Sequence, residues 1–68
     1  VLKKRSFSIA GHRTSVALEP EFWAELETLA ARKNENLAAL VAGIDSTRGS
    51  HPLASALRLL ALESAKHH

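Results

Sequence analysis

The sequence predicts a mainly α protein with one short strand, built as an intertwined pair of identical chains. Three observations predict it. The chain has 68 residues, no cysteine and 46% hydrophobic content. A chain this short buries only about 60% of the surface its unfolded form exposes, and usually needs a disulfide, a metal or a partner subunit. Residues 13–18 alternate between two faces as a strand does, with no second strand to pair with. Residues 53–62 are apolar around much of a helix, more surface than a small monomer can cover.

The elements follow in order within a single domain, 1–68. Residues 1–12 read as a basic arm. In the strand 13–18, Thr14, Val16 and Leu18 share one side while Arg13, Ser15 and Ala17 share the other. Phe7 and Ile9 also alternate, but on odd positions, so the parity switches near Gly11 and a bulge or turn at Ala10-Gly11-His12 accounts for it. Glu19-Pro20-Glu21 opens a helix, with proline in its first turn and carboxylates at the positive end of the dipole. Phe22, Leu26, Leu29 and Ala30 give that helix its stripe over 20–33, Trp23 flanks it, and Asn34 is a left-handed stop. Asn36 caps a second helix over 37–47, whose stripe is Leu37, Leu40, Val41 and Ile44. The third helix, 52–65, carries Leu53, Leu57, Leu60 and Ala61, with Leu59 and Leu62 beside them.

Charge is distributed unevenly. Residues 1–18 hold Lys3, Lys4, Arg5 and Arg13 and no acid, whereas 19–68 hold five basic and seven acidic residues, so +4 and −2 make the net charge of +2. One end is thus suited to a polyanion and the other to building structure. No apolar run approaches the ~20 residues of a membrane span, and Ser6 to Ala10 is too short and polar for a signal sequence. These features predict a cytoplasmic protein. The first residue, Val1, is compatible with a start further upstream, and Lys66-His67-His68 reads as the stub of a purification tag.

A single strand before two helices leaves its backbone groups unpaired. Pairing with the same strand of a second copy, antiparallel about a two-fold axis, satisfies them. At this point the run Arg13-Thr14-Ser15-Val16-Ala17-Leu18, the helix start Glu19-Pro20-Glu21-Phe22-Trp23, Leu26, Leu29 and Ala30, the turn Lys33-Asn34-Glu35-Asn36 and the helix Leu37 to Ile44 together resemble the ribbon-helix-helix (Arc/MetJ-type) DNA-binding family. The stretch Lys4-Arg5-Ser6-Phe7-Ser8-Ile9 through Gly11-His12-Arg13-Thr14-Ser15-Val16 is similar to a bacterial subgroup of it.

The resemblance implies a homodimer with a two-stranded antiparallel intersubunit ribbon, plus an extra C-terminal helix. It implies a sequence-specific transcriptional regulator, a repressor, that inserts the ribbon into the major groove of double-stranded DNA. Arg13, Ser15 and Ala17 would meet base edges: Arg13 the O6/N7 edge of guanine, Ser15 any base, and Ala17 a thymine methyl. Many relatives carry a polar residue where Ala17 stands. Lys3, Lys4 and Arg5 would contact phosphates through counterion release, and Asn36 and Leu37 through the helix N-terminus. Val16, Leu18, Phe22, Trp23, Leu40, Ile44, Leu57 and Leu60 would form the dimer interface. Helix 52–65 also resembles the family's second helix, which would move the phosphate contact to Pro52-Leu53.

Other classes find little support in the residues. Asp45, Ser46 and His51 are the only close Asp/Ser/His set, and they flank a helix end. His12, His51, His67 and His68 lack metal-ligand spacing, and no glycine-rich phosphate loop is present, so neither a metal nor a cofactor is expected. The alternative to DNA binding is an interaction module, in which the apolar helix 52–65 docks a toxin-like or regulatory protein partner.

Overall fold

A computed structural model describes residues 1–67. His68, part of the tag-stub reading, lies outside the described residues. The chain forms two strands and three helices, β1 (Lys3–Ile9), β2 (His12–Leu18), α1 (Pro20–Arg32), α2 (Leu37–Thr47) and α3 (Leu53–Lys66). The expected order of ribbon, helix and helix with an additional C-terminal helix is therefore present.

The ribbon differs from expectation in its origin. β1 and β2 pair antiparallel within one chain, in a register running from Lys3↔Leu18 to Ile9↔His12. The segment expected as an arm is a strand, and the strand expected to lack a partner has one. A two-residue connection explains both. Ala10 and Gly11 have φ of +52° and +81°, and positive φ at both central residues marks the tight turn whose twist matches a right-handed hairpin. Such a turn pairs odd positions of β1 with even positions of β2, so the parity switch in the sequence is the hairpin's own signature.

Each helix is delimited by local chemistry. The Glu19 carbonyl accepts from the N–H groups of Phe22 and Trp23 at 3.0 and 3.2 Å, opening α1 over Pro20. At its end, Asn34 has φ +58°, and the amides of Asn34 and Glu35 donate to the carbonyls of Ala31 and Ala30 at 3.0 and 2.9 Å. These two crossed bonds form a left-handed C-cap that satisfies otherwise orphan carbonyls. Asn36 caps α2, its Oδ1 accepting from the Ala39 N–H at 2.7 Å. Between α2 and α3, Arg48 donates to Asp45 Oδ1 at 2.8 Å and to the His51 carbonyl at 2.6 Å, closing the loop.

The core closes within the single chain. Phe7, Ile9, Val16 and Leu18 from one side of the hairpin meet Trp23, Leu26 and Ala30 of α1, Leu40 and Val41 of α2, and Leu53, Leu57 and Ala61 of α3, all buried. Trp23 fastens the hairpin to α1: its indole N–H donates to the Lys3 carbonyl at 2.8 Å, and its ring lies 5.9 Å from that of Phe7. Val16, Leu18, Trp23, Leu40 and Leu57, expected at a subunit interface, are thus at most 5% exposed within one chain. Phe22, Ile44 and Leu60 are half-buried against the same core. β1 contributes Phe7 and Ile9 to this same core.

Candidate nucleic-acid interface

The hairpin has two chemically distinct faces. Toward the helices point the apolar residues of both strands. Away from them, the register places Lys4 opposite Ala17, Ser6 opposite Ser15, and Ser8 opposite Arg13. All but Ala17 are exposed, and Ala17 is half-buried. This face contains no acid. Neither Lys4 nor Arg13 takes part in a salt bridge among the described residues. At its centre the Ser6 and Ser15 hydroxyls are 3.0 Å apart, a cross-strand hydrogen bond in which either is the donor.

The dimensions suit a groove. Adjacent strands lie about 4.8 Å apart, and the major groove of B-DNA is about 12 Å wide, room for one two-stranded ribbon with its outward side chains. Arg13, Ser15 and Ala17 lie where sequence reasoning put them, on one outward face. Lys4, expected to touch phosphate, lies on that face as well. Ser6 and Ser8 were not anticipated as part of it, although the odd-position alternation of Phe7 and Ile9 already implied that even positions of the arm face outward.

Lys3 and Arg5 belong to the opposite side of the strand. The Arg5 guanidinium forms an ion pair with Glu27 and sits 5.1 Å from the centroid of the Trp23 ring. Arg5 is therefore engaged in holding β1 to α1. The Asn36 side chain is committed to its cap, and Leu37 is half-buried, which leaves the backbone amides at the start of α2 as the donors available there.

Elsewhere the polar groups serve structure. Arg58 donates to Glu19 Oε1 at 3.1 Å and lies 5.9 Å from the Phe22 ring centroid, tying α3 to the start of α1. A hydrogen bond from its own backbone amide, and then the Arg58 guanidinium, lower the Glu19 pKa below the ordinary 4.5. Buried Ser64 donates to Glu25 at 3.1 Å, a second tie between α3 and α1. Of the Asp45, Ser46 and His51 set, the first two side chains serve the α2 terminus, Asp45 holding Arg48 and Ser46 donating to the Gly43 carbonyl at 2.8 Å, while His51 is exposed and receives Arg48 at its backbone carbonyl. Among the described residues there is no cavity, no group of three or more potential metal ligands, and no helix long and apolar enough to cross a membrane.

A family model described as a ribbon-helix-helix domain matches residues 2–65, nearly the whole chain. No curated protein and no solved structure matches it.

Proposed function

Because the chain belongs to the ribbon-helix-helix domain family, a fold of DNA-binding regulators that generally act as dimers, we propose that it is a sequence-specific transcriptional repressor that binds double-stranded DNA as a homodimer. The observation that carries this reading is the acid-free outer face of the hairpin, on which Lys4 and Arg13 form no salt bridge among the described residues. In the major groove, Arg13 reaches guanine O6 and N7, Ser15 and the other hydroxyls adapt to neighbouring bases, and Ala17 meets a thymine methyl. Lys3 adds charge near the phosphates, as do the free amides at Leu37. Arg5 contributes through its charge and its hold on β1 rather than through a free side chain.

Titration of short duplexes at two salt concentrations tests the reading. Affinity should fall steeply as salt rises, the exponent growing by about 0.9 for each phosphate neutralised. Arg13→Ala should cost about 1–3 kcal/mol at guanine-containing sites and less on random sequence. Failure to bind any duplex at low salt would remove the proposal.

A second reading rests on α3. Leu59 and Leu62 are 60% and 51% exposed on one side of that helix, an apolar pair suited to a regulatory or toxin-like protein partner. In that case Leu59→Ser with Leu62→Ser abolishes partner capture and leaves duplex affinity unchanged.

A further inference from the structure

Resting on the DNA reading above, we infer that Glu27 limits the chain's sequence-independent grip on DNA by holding Arg5 off the phosphates. Residues 1–18 hold four cationic side chains and no acid, yet these cations stand in different surroundings. Lys4 and Arg13 form no salt bridge among the described residues, whereas the Arg5 guanidinium pairs with the carboxylate of Glu27 on α1. Trp23 and Glu27 are four residues apart on that helix, neighbours on one face. Together they make a clamp: the indole ring centroid lies 5.1 Å from the guanidinium carbon, and the carboxylate closes the other side. Trp23 is itself fixed, 2% exposed and bonded to the Lys3 carbonyl.

Exposure makes this clamp a competitor of DNA rather than a buried strut. The Arg5 and Glu27 side chains are 41% and 51% exposed, and ion pairs so open to water hold weakly and are screened by salt. β1 is an edge strand, so only its own backbone separates Arg5 from the outer face that carries Lys4. A guanidinium released from Glu27 can bend around that edge, its stem on the protein and its head in water. There a DNA phosphate is the alternative acceptor, and it accepts the same charge-assisted hydrogen bonds that the carboxylate now receives. Because Glu27 engages Arg5 first, the chain makes one phosphate contact fewer on every duplex, whatever its sequence. Contacts of that kind retain and orient a protein on DNA without reading bases. Glu27 thus lowers retention on unrelated sequence and leaves the base-facing residues untouched.

The test titrates the full chain, Glu27→Gln, Arg5→Ala and the double variant on a random-sequence duplex over a series of salt concentrations, with thermal scans to check that each variant is folded. Glu27→Gln should steepen the salt exponent by about 0.9 and tighten binding about eightfold at ~0.1 M salt, the gain of one phosphate contact. That gain should vanish in the double variant, because it belongs to Arg5. Glu63→Gln, the same change of net charge placed on α3, should leave the exponent where it is. The inference is overturned if Glu27→Gln leaves the exponent unchanged, if its gain survives without Arg5, or if Glu63→Gln matches it. A pair that served only to fasten β1 would lower the melting temperature of Glu27→Gln with no tighter binding. Should Arg5→Ala not fold, Glu27→Gln against Glu63→Gln decides alone. Absence of binding by the parent chain to any duplex at low salt would remove the DNA reading itself, a result distinct from all of these.

Discussion

Ala10 sits at φ +52° in the hairpin turn, where the Cβ of an L-residue crowds the backbone and glycine or asparagine is favoured. Ala10→Asn should therefore stabilise the protein by about 0.5–1 kcal/mol, seen as a raised denaturant midpoint with an unchanged slope. Trp23 makes the opposite case, a side chain whose polar atom and ring both hold β1. Trp23→Phe keeps most of the ring packing but leaves the Lys3 carbonyl without its donor, a cost of about 1–2 kcal/mol. Amide exchange should then quicken first in β1. At Glu19 the folded-state pKa lies below its ordinary value, through its own amide and then Arg58. A depressed carboxyl pKa contributes stability that is present above the unfolded value of 4.5 and is lost as pH falls through the folded value. Melting temperatures measured while acidifying from pH ~5 to ~3 should accordingly decline less in Glu19→Gln than in the parent chain.

At the level of elements, α2 runs Leu37–Thr47 as the periodicity and the Asn36 cap predict, and α1 and α3 shift by one residue at their ends. Such agreement is expected where a cap, a proline or a left-handed Asn34 punctuates an apolar stripe. Asn36→Ala should cost about 1 kcal/mol by removing the acceptor for the Ala39 N–H, measured by chemical denaturation. β1 escaped recognition because only Phe7 and Ile9 of its seven residues are apolar and buried. Lys3, Lys4, Arg5, Ser6 and Ser8 hide the strand in a polar composition that also fits a tail. Its identity lay in the parity switch, a relation between two segments rather than a property of either. The outward set Arg13, Ser15 and Ala17 was legible from alternation alone, whereas the engagement of Arg5 with Glu27 and Trp23 depends on how α1 lies against the hairpin, which no local pattern encodes.

At the scale of the whole molecule, the accessible surface of 4440 Å² compares with roughly 4,200 Å² for a folded monomer of this mass. The radius of gyration of 11.2 Å likewise compares with about 10.9 Å for a compact chain of this length. One chain thus has the proportions of an independent unit. The expectation of a pair rested on a short chain without cysteine, a strand without a partner and an apolar third helix; the hairpin removes the second of these, while Leu59 and Leu62 stay exposed on α3. The homodimer proposed above should raise the unfolding midpoint over a hundredfold range of protein concentration, checked by thermal scans. A steep rise with concentration would show that subunits share a core. Leu57, fully buried among the helices, is a sensitive point in that core, and Leu57→Ala should cost about 2–5 kcal/mol.

The turn at Ala10-Gly11 places both strands in one uninterrupted run, residues 3–18. Every outward residue of the ribbon is therefore carried by one short genetic cassette, next to but separate from the three helices that stabilise it. Exchanging that cassette alone would change what the outer face presents, and under the DNA reading proposed above the preferred sequence with it, while leaving the helical body intact.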